Sequence, residues 1–486
     1  MTSGLAVISP ASSPDASPGS RPWRHIWWWL LAGWTVSAAD RAVTGPVVTW
    51  MIDHHVDFFA HAPQPHALGG LIGGLFFAGY MLTQFSGGYL GDRYGHRTLI
   101  VVSLVWAGLA TMATGVLTGL VVFIVIRVVT GLGEGAYYAN DRSLIAETTP
   151  ERERSLGMGV VITGLALGIT IATIGTPYLI DLGGLVLPTQ ESWRMAFLLL
   201  GAATLIVGLG MAWRWRGHLD RKRLLGATGH LAAYSALTLV LIMAIYLLGV
   251  HFGLPTIWIA VLQVALAVAF VSVTMVRKGS ELAPVLRNRD LILIYVSFIA
   301  ILWNLWFFGF WSVSIVAGAA HSTFLQAALV AGFTAGAGLL GFPAGGWLSD
   351  YAVRRGWGRK SMLLSFTAVQ AVLTICFAAY ISLAGHPSLW VMGGLLFSAS
   401  LFFNALQPVS HALAADIAEP RLRGSAFGMM NLIGETGAVL APAVGGVLRD
   451  ATGSWATAVW LDAGLVVAGL CVLVFVRERR AVAQPS

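Results

Sequence analysis

Gly88-Tyr89-Leu90-Gly91-Asp92-Arg93-Tyr94-Gly95-His96-Arg97 joins two long apolar runs, and it returns in weaker form as Gly346-Trp347-Leu348-Ser349-Asp350 followed by Gly358-Arg359-Lys360. In both copies small residues close an apolar helix, an acid follows, and basic residues open the next run. Glycine at a helix end allows close helix approach, which suits a tight hinge between two spans. The recurrence implies an internal repeat of six spans each.

The runs on either side of these loops place the chain in a membrane. Of 486 residues, 57% are apolar and 10% charged, with a mean hydropathy of +0.77; an average soluble domain carries roughly 25% charged residues. A span needs about 20 apolar residues. Fourteen such segments are read, from 24–50 at the amino end to 456–476 at the carboxyl end, with 229–250 and 255–276 as the seventh and eighth. An even count puts both termini on one side. With the amino terminus inside, 24 of the 29 Lys and Arg fall in cytoplasmic segments, Arg194 and Arg449 lie outside, and Arg41, Arg127 and Arg142 lie within spans. That asymmetry supports the count and the orientation. The net charge of +7 is therefore topological, and no nucleic-acid partner is expected. Cys376 and Cys471 lie within apolar runs and are expected to pack there, forming no disulfide framework. Residues 1–20 lack the basic n-region of a signal peptide and read as a disordered cytosolic tail, with Trp27, Trp28 and Trp29 as an interfacial belt behind it.

Asp40 and Arg41 sit in a stretch from His25 to Asp53 that holds no other Asp, Glu, Lys or Arg. A charge at mid-bilayer costs about 2.5 to 3.5 kcal/mol on insertion scales, so such residues mark transport or proton-relay sites by default. Consecutive helical residues point about 100° apart, so the two cannot neutralise each other. In the fourth span Arg127, Gly131, Glu134 and Tyr138 share one helix face. The economical arrangement pairs Asp40 with Arg127 and sets Arg41 against Glu134 until an anion arrives. Protonation of either carboxylate would shift that balance.

The loop at Gly88 to Arg97 resembles the signature G-x-L-x-D-R-x-G-R-R of the major facilitator superfamily. That resemblance implies an all-α integral membrane protein with two six-helix bundles around a cavity near the bilayer midplane. The bundles fall at 23–215 and 290–477. Residues 216–289 hold basic loops and a two-helix insertion, giving fourteen helices in total, and 1–22 and 478–486 are cytoplasmic tails. Asp92, Arg93 and Arg97 inherit a gating role from the family, and Asp350 is their counterpart in the second copy. Asp40-Arg41 together with Arg127-x-x-x-Gly131-x-x-Glu134 is similar to the anion:cation symporters. Tyr80-x-x-x-Gln84, Glu151-Arg152, Ser192-Trp193-Arg194, the run Gly424 to Asn431, Pro442 and Asp450 to Trp455 extend the likeness. By that resemblance Arg41 binds a substrate carboxylate, Asp40 and Glu134 are the protonatable pair tuned by Arg127, and Tyr80 and Asn404 hydrogen-bond substrate. Sugar-acid members carry a Tyr and a Gln where this chain has Ala38 and Leu165, which favours a less hydroxylated, even aromatic, anion.

Trp303 and Trp306 in the ninth span could wall such an anion with Asn404. The loop bearing Asp53, His54, His55, Asp57, His61 and His66 has irregular spacing and reads as solvated, with no metal site. No nucleophile and base stand in a recognisable arrangement, so no enzyme activity is expected, and no cofactor beyond a proton gradient as driving force. The expected protein is a monomeric, multi-pass inner-membrane symporter taking up a small organic anion with protons, both termini cytoplasmic. The alternatives are a spinster-like lipid carrier, whose family shares the Asp-Arg pair and a Gly-Glu motif like Gly133-Glu134, and a proton-coupled drug or metabolite antiporter.

Overall fold

The computed structural model describes residues 23–419 and 422–478. The tails read at 1–22 and, past residue 478, at 479–486 lie outside the described residues. Seven α-helices come first: α1 (Trp23–Asp53), the short α2 (Asp57–Ala60), α3 (Pro65–Tyr94), α4 (His96–Val116), α5 (Leu120–Thr148), α6 (Glu151–Gly184) and α7 (Arg194–Arg214). Then follow α8 (Arg221–His251) and α9 (Thr256–Leu286). The remainder holds α10 (Arg289–Ala320), α11 (Phe324–Gly336), α12 (Gly338–Arg354), α13 (Arg359–Leu383), α14 (Leu389–Ile417), α15 (Arg423–Thr452) and α16 (Trp455–Val474).

Local sequence explains where these helices start and stop. Pro65 opens α3, where its missing N–H costs nothing, and Gly95 ends it with a φ of 93° that side chains rarely adopt. The Asn288 side chain caps α10, and Thr323 with Gln326 forms a capping box on α11. The tenth of the fourteen apolar segments, residues 324–348, is broken at Ala337 between α11 and α12. Gly336 and Gly338 flank the break, and Pro343 cannot donate to the turn before it.

Among the described residues twelve helical spans are long and apolar enough to cross a membrane, α11 and α12 together counting as one. Thirteen of the fourteen expected segments fall on a single helix each and the tenth on α11 and α12 together, but α1 and α9 are not among the twelve. Tryptophans and the Asp40–Arg41 pair lower the hydropathy of α1, and Thr256–Phe270 of α9 is a shorter apolar helix. Two smaller expectations are corrected. Cys376 and Cys471 are exposed rather than packed. Of the three belt tryptophans, Trp28 is exposed, whereas Trp27 is buried and donates to Thr149 Oγ1 at 2.9 Å.

Before residue 215, α1 packs on α6, α3 on α5, and α4 on α5 and α7; after residue 289, α10 packs on α15 and α16, and α14 on α12 and α13. The two sets meet where α3 lies on α15, α6 on α11, and α1 on α10. Helix α8 lies against α3, α4 and α5, while α9 touches both α3 and α15.

The two ends of the bundle differ. At the end carrying the α1–α2 turn, Gly70 faces the Pro442 carbonyl and Gly446 faces the His66 carbonyl, positions where any Cβ would collide. Close backbone approach of this kind is what glycine permits. His66 Nδ1 also lies 2.7 Å from Asp450 Oδ1, and Asp450 Oδ2 accepts from the Ala67 amide at 2.8 Å. His66 is thus tied across the two sets rather than solvated with the loop. At the opposite end the Asp92 side chain is 76% exposed.

Candidate functional site

The first-span charges find the partners that their spacing implies. Arg127 Nη1 donates to Asp40 Oδ1 at 3.2 Å and Nη2 to the Asp40 carbonyl at 3.2 Å, while Thr111 donates to Asp40 Oδ2. The Arg127 guanidinium is fully buried and lies over Phe76 at 4.8 Å and Phe197 at 5.5 Å. With its cation committed on both sides, this pair ties α5 to α1.

Two turns further along α5, Arg41 Nε donates to Glu134 Oε2 at 2.6 Å and Nη2 to Ser37 Oγ at 2.9 Å, and Ser37 in turn donates to Glu134 at 3.0 Å. The Arg41 guanidinium lies 4.3 Å from the Tyr80 ring centre and 5.2 Å from that of Trp34. Such stacking stabilises a desolvated cation without neutralising it. Nη1 has no hydrogen-bond partner among the described residues, and Glu134 Oε1 is likewise buried and unpartnered. The arrangement can release an arginine to a carboxylate ligand at the cost of one ion pair.

Three further carboxylates lie buried in the bundle, and each carries a signal in the sequence. Asp141 follows Glu134 by seven residues, on the same helix face as Arg127 and Glu134. It accepts from Trp34 Nε1 at 2.5 Å and lies 3.7 Å from Arg142 Nε. Glu435 is the single charge between Arg423 and Arg449, and accepts from Gln84 Nε2 and Asn431 Nδ2, each at 3.4 Å. Asp462, on α16, accepts from Asn304 Nδ2 at 2.7 Å.

A cavity lies between α6 and the carboxyl-terminal helices. Asn404, Asn304 and Ser400 supply polar atoms to it, against Leu165, Phe308 and Phe403 among its apolar walls. Asn404 donates to the Ser400 carbonyl at 2.8 Å. Leu165, one of the two departures from the sugar-acid pattern, stands in this wall. Arg41 and Tyr80 do not line it, nor do Trp303 and Trp306. Trp306 packs instead on Phe77, with ring centres 4.4 Å apart, and the Trp303 backbone lies against Gly437 of α15.

The two loop copies are engaged locally. Asp92 lies 3.7 Å from His96, Arg93 lies over Tyr94 at 5.3 Å, and Arg97 Nε is buried without a partner. Asp350 pairs with Arg359 at 3.0 Å, and Arg359 also reaches Asp416 at 2.9 Å, so α12, α13 and α14 are joined at this end. Among the described residues, neither Asp92 nor Asp350 has an ion-pair partner in the opposite set of helices.

Comparisons with known proteins agree with this architecture. The Hexuronate transporter of Bacillus subtilis (strain 168) is 26% identical over 411 residues, covering 84% of this chain and 85% of that protein. The Voltage-gated purine nucleotide uniporter of Rattus norvegicus is 26% identical over 491 residues, covering 98% and 95%. A solved structure of a bacterial homologue of the human lysosomal transporter Spinster, inward-facing and occupied, superposes with a TM-score of 0.62 at 17% identity, covering 94% of this chain and 96% of that one. The family model described as Major Facilitator Superfamily matches residues 30–356 and 293–486, and the chain belongs to that superfamily.

Proposed function

We propose that this protein carries a small organic anion across a membrane by alternating access, with proton symport driving uptake. The observation that supports this best is Arg41: a buried guanidinium, flanked by Tyr80 and Trp34, whose one ionic partner is a protonatable carboxyl. Substrate carboxylate would take the place of Glu134 on Arg41, and a proton would neutralise the displaced side chain. Asp40 and Glu134 are the coupling carboxylates in this reading, and Arg127 fixes Asp40. The hexuronate relative fits an anionic cargo, while Leu165 in the cavity wall fits one poor in hydroxyls.

In the same reading the chain lies in the inner membrane as a monomer with both termini cytoplasmic. It spans fourteen times, with α8 and α9 as an accessory hairpin beside α3. The tight end at Gly70 and Gly446 is then the outer face, and the cavity opens inward. Asp92, Arg93, Arg97 and Asp350 gate the inner face, finding partners in the opposite helices once the cavity turns outward.

The apolar walls favour one rival, a lipid or drug carrier. Proteoliposomes with an imposed pH gradient distinguish the readings when offered D-glucuronate, benzoate, a lysophospholipid and a cationic dye. Accumulation of an anion, reduced roughly a hundredfold or more by Arg41→Ala, is expected from the loss of a buried charge-paired contact. Uptake of lipid or dye that ignores Arg41→Ala would sink the anion reading. Anion flux that follows membrane voltage and ignores the pH gradient would replace symport by uniport.

A further inference from the structure

Around Arg41 the fixed charges almost cancel. Asp40 faces Arg127, Glu134 faces Arg41 and Asp141 faces Arg142, each pair within 3.7 Å. Glu435 is the carboxylate in this neighbourhood that has no cation of its own. It lies mid-helix on α15, 4% exposed, with Oε1 held by the amides of Gln84 and Asn431 and with Oε2 buried and unpartnered. Electrostatically it feels Arg41 from α1, Tyr80 from α3 and Tyr138 from α5. No ionisable side chain on the described parts of α9, α10, α14 or α16, the other helices packed on α15, acts on it.

We propose that Glu435 is a further proton-binding site of the transport cycle, loaded together with the anion that occupies Arg41. The proposal rests on the anion-symport reading. With all these groups ionised, the neighbourhood carries one uncompensated negative charge, that of Glu435. An anion arriving at Arg41 is offset by the proton on displaced Glu134, which leaves that one charge in a medium where uncompensated charge is costly. A second proton, on Glu435, removes it and makes the loaded site neutral. The site also spans the seam between the two sets of helices, because Gln84 is on α3 and Glu435 on α15. Protonation alters a hydrogen bond that crosses the surface along which alternating access must slide.

The test compares wild type with Glu435→Gln, an isosteric change that keeps the amide contacts. In voltage-clamped proteoliposomes, counterflow of D-glucuronate at equal pH persists in the variant. Its steady-state accumulation ratio falls tenfold for each unit of imposed pH gradient, the thermodynamic signature of one proton fewer per anion. Slower folding or lower expression does not move that ratio. A second measurement needs no substrate: infrared difference spectra between acid and alkaline pH should lose a protonated-carboxyl band in Glu435→Gln. An accumulation ratio equal to wild type, or an unchanged band, overturns the proposal. If wild type fails to exchange D-glucuronate or any other anion while the band is still lost in the variant, Glu435 stands as a proton site and the anion reading falls.

Discussion

In the amino-terminal half Asp40, Glu134 and Asp141 face arginines at 3.2, 2.6 and 3.7 Å, whereas in the carboxyl-terminal half Glu435 and Asp462 face only amides. An arginine partner fixes a carboxylate in its charged form and locks the two helices that supply the pair. An amide partner does neither. It can hydrogen-bond a neutral or an ionised carboxyl, so the carboxyl-terminal carboxyls change charge without breaking an ion pair. The first half thus holds a paired framework in which Glu134 is freed only when an anion takes its place on Arg41, and the second half holds carboxyls with no cation to surrender.

The sharpest way to break that contrast is to take one cation from the framework. Arg127→Leu leaves Asp40 buried with Thr111 as its remaining side-chain partner, and removing one member of a buried pair costs about 3 to 5 kcal/mol. A large loss of thermal stability in detergent is expected. A melting temperature equal to wild type would show that this pair does not lock α1 to α5.

Arg142 belongs to the same framework but should matter less. Its side chain is 19% exposed, its Nε stands 3.7 Å from Asp141, and Asp141 keeps the Trp34 indole N–H at 2.5 Å when the cation is gone. Partial solvent access and a surviving hydrogen bond reduce the expected cost of Arg142→Gln to about 1 to 2 kcal/mol. A thermal shift as large as that of Arg127→Leu would mean that the third pair bears as much of the helix locking as the first.

How much of this was legible differs from residue to residue. Asp40, Arg41, Arg127 and Glu134 announce themselves because each is a rare charge in an apolar run, and helical periodicity alone implies which pairs can meet. The same rule reaches Glu435 and Asp462, each the single charge of its run, and heptad spacing from Glu134 reaches Asp141. Their neighbours, however, come from distant segments: Gln84 and Glu435 are 351 positions apart, Asn304 and Asp462 158. Neither period nor motif specifies such encounters. The repeat at Gly88 and Gly346 gave the superfamily fold, yet the tie from His66 to Asp450 depends on how helices from the two halves settle against each other. Trp303 and Trp306 show the same limit, since their helix is evident in the sequence but the face turned to the cavity belongs to Asn304 and Phe308.

The mildest test concerns Asp462. Its carboxyl is fully buried, accepts a single bond from Asn304 and has Oδ1 unpartnered, with no arginine to compensate it. Asp462→Asn preserves volume and still offers an oxygen to the Asn304 amide, so no charged partner is orphaned. Replacing a buried polar group by one of the same shape while keeping its hydrogen bond is close to neutral, and a change of less than about 1 kcal/mol is expected. Removing an uncompensated buried charge is expected to leave the melting temperature equal to wild type or slightly raised. A loss comparable to Arg127→Leu would mean that Asp462 is held as a charge by something other than Asn304, and the contrast between the two halves would fail at this position.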